Sequence, residues 1–141
     1  MQRYMPAEWA LPVIDQQNKD FFTSGRLRLQ KCSACGTVQH PPEDVCWKCQ
    51  GMEFGTVDAK GTGVIYSFTI AHHPVHPALQ QAVPYNIVLV QLDDFSHVRI
   101  VGNVVNLSPD QIKIGLPVKV GFADINDGAD SYSLPQWEAA H

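Results

Sequence analysis

The sequence predicts a mainly β chain in three parts: an N-terminal helical segment (residues 1–26), a four-cysteine metal ribbon (27–58) and a small five-stranded β-barrel (59–141). Three observations carry that reading. Four cysteines stand as two C-x-x-C pairs, short runs of β-branched and aromatic residues recur after Gly61, and apolar residues fill 45% of 141 positions, enough for a packed core.

In the first part, Pro12 is followed by Ile14, Asn18, Phe21 and Phe22, an imperfect helical stripe that Gly25 can end with a left-handed cap. Phe21 and Phe22 are adjacent, so a narrow stripe does not easily bury both; it lies either on the neighbouring core or on a partner chain. Arg26-Leu27-Arg28-Leu29-Gln30 then alternates as a strand does.

The cysteine spacing is Cys32-x-x-Cys35, ten residues, then Cys46-x-x-Cys49. A two-residue gap lets one tight turn aim both sulfurs at one ion, and two such turns complete a tetrahedron with arms of about 2.3 Å. Gly36 and Gly51 let the backbone turn closely around the metal, and Pro41-Pro42 stiffens the connection. Disulfides or ordinary thiols are the alternatives; the paired spacing favours a metal, and zinc over iron. Four thiolates leave no open coordination position, so the expected zinc is structural.

The third part reads Val64–Ala71, Tyr85–Leu92, Val98–Val105 and Val118–Ala123 as strands, with Tyr132–Trp137 as a fifth, edge segment. Asp93-Asp94-Phe95-Ser96 makes a short turn, and Ser108-Pro109-Asp110 starts one helical turn before Gly115. Five short strands with one brief helical insert predict a partly open Greek-key barrel, the OB-fold.

Charge narrows the function. The net charge is −4 and the pI about 5.8, and from Gly61 onward only Arg99, Lys113 and Lys119 carry fixed positive charge. A groove tracking a phosphate backbone needs a denser row, which disfavours a nucleic-acid-binding module although ribbons and OB-folds often serve as one. Iron in place of zinc would make an electron carrier, red when oxidised. Residues 1–15 lack a leader-peptide pattern and Ile87–Leu92 is too short to span a bilayer, so the expectation is a soluble, cytoplasmic protein with no membrane partner. No Gly-x-Ser-x-Gly elbow, phosphate loop or dinucleotide fingerprint is present, and the cysteines are committed to metal, so no catalytic residue is expected. His72, His73 and His76 stand among prolines, a loop that faces a partner or ligand in preference to a second metal. His40 is expected at the surface.

The order Phe21-Phe22, Gly25-Arg26-Leu27, Cys32-x-x-Cys35-Gly36, Pro41-Pro42, Cys46-x-x-Cys49 is that of a rubredoxin-like zinc ribbon. Gly61-Thr62-Gly63-Val64-Ile65-Tyr66-Ser67-Phe68-Thr69, Pro84-Tyr85, Val101-Gly102-Asn103-Val104 and Ile114-Gly115-Leu116-Pro117-Val118 continue the pattern. Together, over about residues 20–125, they resemble the acyl-CoA-associated OB-fold proteins, long catalogued as a domain of unknown function. The resemblance implies an accessory subunit beside a thiolase-like enzyme: a thiolase, an acyltransferase, or a retro-aldolase that shortens steroid side chains. Its OB half would hold or shield the acyl-CoA. On that reading Arg26 and Arg28 are candidates for the coenzyme phosphates, with Lys31 and Lys48 nearby. Tyr66, Phe68 and Tyr85 are candidates for an acyl channel, although alternating strand aromatics more often face a core. Phe21, Phe22 and the loop bearing His72, His73 and His76 are candidates for partner contact.

Overall fold

The computed structural model describes residues 1–140, so His141, the last residue of the expected barrel part, lies outside the described residues. One short helix, α1 (Lys19–Thr23), precedes a ribbon of β1 (Arg28–Cys32), β2 (Val38–Gln39) and β3 (Phe54–Asp58). The barrel follows with β4 (Thr62–Ala71), β5 (Tyr85–Leu92), β6 (Arg99–Gly102), β7 (Pro117–Asn126) and β8 (Ser131–Ala139). Single 3₁₀ turns stand at Pro77–Leu79 and Pro109–Gln111. All strand pairs are antiparallel, in the orders β2-β1-β3 and β6-β5-β4-β7-β8.

The barrel nearly closes because the chain beyond β6 swings onto β8. Val104 bridges Trp137, with Val105 N–H donating to Trp137 O at 2.8 Å and Trp137 N–H to Asn103 O at 2.9 Å. That swing ends β6 at Gly102, short of the expected Val105. It also puts Trp137 at the centre of the core, 0% exposed, while β8 ends the strand order, the edge place that the sequence predicts.

The helix is much shorter than the stripe from Pro12 suggested. Asp15 and Asn18 exchange backbone-to-side-chain bonds at 2.8 Å in both directions, and Asn18 Nδ2 donates to Val13 O. Such local bonds offer the backbone an alternative to a helix, so regular helix begins only at Lys19. Gly25 stands at φ 71, the left-handed residue anticipated there.

One apolar core serves ribbon and barrel together. Leu27, Leu29 and Val38 from the ribbon and Phe21 from α1 join Ile65, Val88, Val90, Ile100, Val118 and Trp137. Phe21 is 7% exposed and Phe22 packs against the same cluster, so the aromatic pair lies on the chain's own core. Only Ala59-Lys60-Gly61 separates β3 from β4, and Lys60 N–H donates to Asp94 at 2.8 Å. His97 Nε2 meets Val38 O at 2.7 Å, a second polar tie between barrel and ribbon.

The first ten residues form a strap on the barrel that turns at Pro6–Trp9, where Trp9 N–H donates to Pro6 O at 3.0 Å. The Tyr4 hydroxyl accepts from both Asn86 N and Asn86 Nδ2 at 2.9 Å, and Gln136 bonds Tyr4 N and Gln2 O. Asn86 is 2% exposed and also bonds Val104 in both directions, so the strap satisfies part of a buried amide's demand.

Candidate metal centre and ligand surface

The two knuckles are near copies. In each, the N–H four residues after the first cysteine returns to its carbonyl: Gly36 to Cys32 O and Gln50 to Cys46 O, both at 2.9 Å. That turn demands a left-handed residue, and Gly36 (φ 77) and Gln50 (φ 62) supply it. Gly51 therefore serves a different purpose from Gly36. A Cβ there would stand 3.2 Å from Cys49 Sγ and 3.3 Å from Cys32 Sγ, so glycine lets the chain pass close to the sulfurs.

All four sulfurs lie within 4.8 Å of one another. Cys32 and Cys49 are 3.6 Å apart and Cys35 and Cys46 3.7 Å, far from a disulfide bond. A tetrahedron with arms of about 2.3 Å has edges of about 3.8 Å, so the donor set fits one zinc ion held by four thiolates. Lys48 N–H and Gly51 N–H point at the Cys46 and Cys49 sulfurs, each at 3.4 Å. Hydrogen bonding to Thr37, side chain first and backbone second, draws Cys35 down to about 6. At Cys49 the Gly51 N–H lowers the value, but the sulfurs of Cys32 and Cys35 outweigh it and push it up to about 12, so four thiolates need a cation among them.

A buried amide network, not legible from the motif, fixes the loop between the knuckles. Gln30 Oε1 accepts from Gln39 Nε2 at 2.7 Å and from Glu43 N at 2.9 Å, while Gln30 Nε2 donates to Glu43 O. Gln39 Oε1 accepts from Trp47 N. His40 is half-buried where the surface was expected: its ring packs on Phe21 with centroids 4.7 Å apart, and loss of hydration pushes it down to about 4.

The remaining sequence candidates do not gather at one point. Arg26 and Arg28 both lean on Asp58, at 3.3 and 3.2 Å. Tyr66 and Phe68 are separated by a β-bulge. Ile65 pairs with Val90 but Ser67 pairs with Leu89, so Tyr66 is the extra residue and the inward parity changes behind it. Tyr66 is 43% exposed beneath the Arg99 guanidinium, 4.0 Å from its ring centre, while Phe68 is carried on the side of Val88. Tyr85 is buried beside Asn86. His72 and His73 are exposed; His76 Nδ1 accepts from Ala78 N, and its ring edge meets Trp9. The only cluster of metal-ligating side chains among the described residues is the four cysteines.

One surface feature was missed in the sequence, a cleft of about 710 Å³ where α1 and the loop His40–Asp44 face the outer side of β5 and β6. Phe21, Phe22, Pro41, Pro42, Leu89 and Val101 line it together with Asp15, Glu43, Asp44 and Arg99. Its signal in the sequence was Val101, two residues from Arg99 on one strand face and therefore an apolar residue turned to solvent.

A zinc ribbon stacked on an OB-fold through a common core defines the class of protein. Residues 22–54 match the family described as "ChsH2, rubredoxin-like zinc ribbon domain", and residues 56–123 match "ChsH2, C-terminal OB-fold domain". The chain is 32% identical over 101 residues to a "DUF35 domain-containing scaffold protein" of Methanocaldococcus jannaschii, covering 71% of this chain and 70% of that one. It is 43% identical over 116 residues to a "Probable enoyl-CoA hydratase alpha subunit" of Thermomonospora curvata, covering 80% of this chain but only 35% of that protein's length. A solved structure, "Ltp2-ChsH2(DUF35) aldolase", superposes with a TM-score of 0.78 at 37% identity, covering 93% of this chain and 100% of the matched one. The chain belongs to the DUF35 family and carries its ChsH2-type ribbon and OB-fold. Among the described residues no helix is long and apolar enough to cross a membrane.

Proposed function

We propose that this chain is a non-catalytic accessory subunit, which binds a thiolase-like enzyme and helps hold or shield its acyl-CoA substrate in the cytoplasm. The observation that carries the reading is the likeness, over nearly the whole chain, to the DUF35 component of an aldolase complex. The closed four-thiolate centre supports it, since such a site positions a fold and leaves no place for a substrate oxygen. Partner contact falls to the half-buried Phe22 and to the exposed loop of His72, His73 and Val75, where Pro74 and Pro77 limit the entropy lost on docking. Phe21 supports Phe22 from the core. Tyr66, Phe68 and Tyr85, with Arg26 and Arg28, remain the candidates for acyl-CoA contact.

Co-expression with a thiolase-like enzyme followed by size-exclusion chromatography tests the proposal. The two chains are expected to co-elute, and turnover of acyl-CoA is expected from the complex and not from this chain. Full activity of the large subunit alone, with no co-elution, would remove the accessory reading.

A further inference from the structure

The cleft between the ribbon loop and the outer face of the barrel has two chemically distinct walls. One is apolar: Phe22, Leu89 and Val101 line it, and Val101 is 68% exposed although its neighbour Ile100 is 1% exposed. The other carries Asp15, Glu43 and Asp44. Among the described residues the ion pairs involve only Asp58 and Glu138, so none of these three carboxylates has a lysine or arginine within 4.0 Å. Their partners are neutral: Asp15 accepts from Asn18 N and Asp44 from the Gln17 amide. Arg99, the one cation on the cleft lining, is held over the Tyr66 ring on the strand side.

We propose, building on the accessory-subunit reading, that this cleft seats one segment of the partner enzyme bearing an apolar side chain flanked by lysine or arginine. The apolar side chain lies on Phe22, Leu89 and Val101 and leaves water there. The cation lies among Asp15, Glu43 and Asp44, whose field is focused by the apolar wall. Complementary charge at such a site steers encounter and selects the partner. The same three carboxylates repel the phosphates of a coenzyme, which argues against acyl-CoA as the occupant. A second copy of this chain would bring another net charge of −4, so self-association is disfavoured as well. Because the cleft spans ribbon and barrel, one segment seated in it fixes the partner against both.

Two measurements test this on the full zinc-loaded chain. In the first, affinity for the thiolase-like subunit is compared between the wild type and the surface variants Asp44→Lys and Val101→Glu. Each is expected to weaken binding by about tenfold, and Asp44→Lys also to flatten its salt dependence. Wild-type affinity in both variants would overturn the cleft while leaving the accessory reading intact. In the second, backbone amide shifts are followed while adding a short peptide of alternating leucine and arginine, and then its counterpart with glutamate for arginine. Shifts at Asp15, Asn18, Glu43, Asp44 and Val101 with the arginine peptide alone support the proposal. Equal response to both peptides, response elsewhere, a response of these amides to acyl-CoA, or a change in the chain's own oligomeric state on Asp44→Lys would overturn it. If the wild type does not bind the thiolase-like subunit, the accessory reading falls and the peptide titration alone decides the cleft.

Discussion

The ribbon and the barrel hold short strands together by different means, and the boundary between the two means does not follow the boundary between the domains. Barrel strands run to ten residues, and their inward side chains Ile65, Val90, Val118 and Trp137 are all 0% exposed. The ribbon has strands of five, two and five residues. Its inner end, at Leu27, Leu29 and Val38, is an extension of the barrel core. Its outer end has no such support: Trp47 is 66% exposed and Met52 73%. There the metal and the Gln30–Gln39 network take over from apolar burial. A segment this small cannot enclose a core of its own, so coordination supplies the missing free energy.

Removing a thiolate should give the largest effect and test the division directly. For Cys46→Ser, metal analysis is expected to find the zinc-to-chain ratio well below one. Hydrogen exchange should show amides of Ser33–Gly51 losing protection while those of β5 and β7 keep theirs. Simultaneous loss of protection in both regions would show that the ribbon and barrel unfold as one unit and break the comparison.

On the barrel side, Trp137→Ala removes the largest fully buried side chain. A cost of about 3–5 kcal/mol is expected in denaturant unfolding, with zinc content unchanged in the fraction that remains folded. An equal loss of zinc would mean that the inner core also preorganises the knuckles.

His40 sharpens the comparison, since it sits where α1 meets the ribbon. Its folded value is pushed down to about 4 from 6.5, so between those values the unfolded chain binds a proton that the folded chain does not. The contribution is complete above about pH 6.5 and is lost as pH falls toward 4, up to about 3 kcal/mol in all. His40→Asn is expected to flatten the stability profile between pH 6.5 and 5, where urea unfolding of both proteins can be compared. Parallel profiles would assign the acid sensitivity to the thiolates.

The smallest effect concerns one knuckle. Gln50 holds φ 62 where Gly36 holds φ 77 in the other. Gln50→Gly is expected to stabilise the ribbon by about 1 kcal/mol, read as slower zinc transfer to a chelator. Unchanged transfer would mean that the Gln50 conformation carries no penalty.

What could be read beforehand follows the same division. Cysteine spacing displays coordination openly because the ligands are adjacent in sequence and of one type. Strands β5 and β8 were legible from their runs of β-branched and aromatic residues. The Gln30–Gln39–Glu43 network was not, because glutamine in a strand carries no spacing signal and acquires its meaning only from the loop folded over it. The packing of His40 is not legible, because Pro41 and Pro42 beside it point to a surface turn and nothing in them announces Phe21, which arrives from another element. The early start of the helix failed because Asp15 and Asn18 bond locally in a way that apolar periodicity does not register.

The bulge at Tyr66 gives β4 a reading frame. Before it, odd-numbered residues take the core side; after it, even-numbered ones do, as the pairings of Ile65 with Val90 and Phe68 with Val88 record, with Ile70 packed on the core and Phe68, nearer the bulge, 36% exposed. Deleting Tyr66 would only remove the extra residue, since Ile65, Ser67 and Phe68 already face Val90, Leu89 and Val88 in unbroken succession. A codon lost at Thr69, beyond the bulge, would instead move Ile70 to the place opposite Ile87 and turn it to the other face, a frameshift in three dimensions, whereas one lost in the Asp127–Asp130 turn would shorten only an exposed loop.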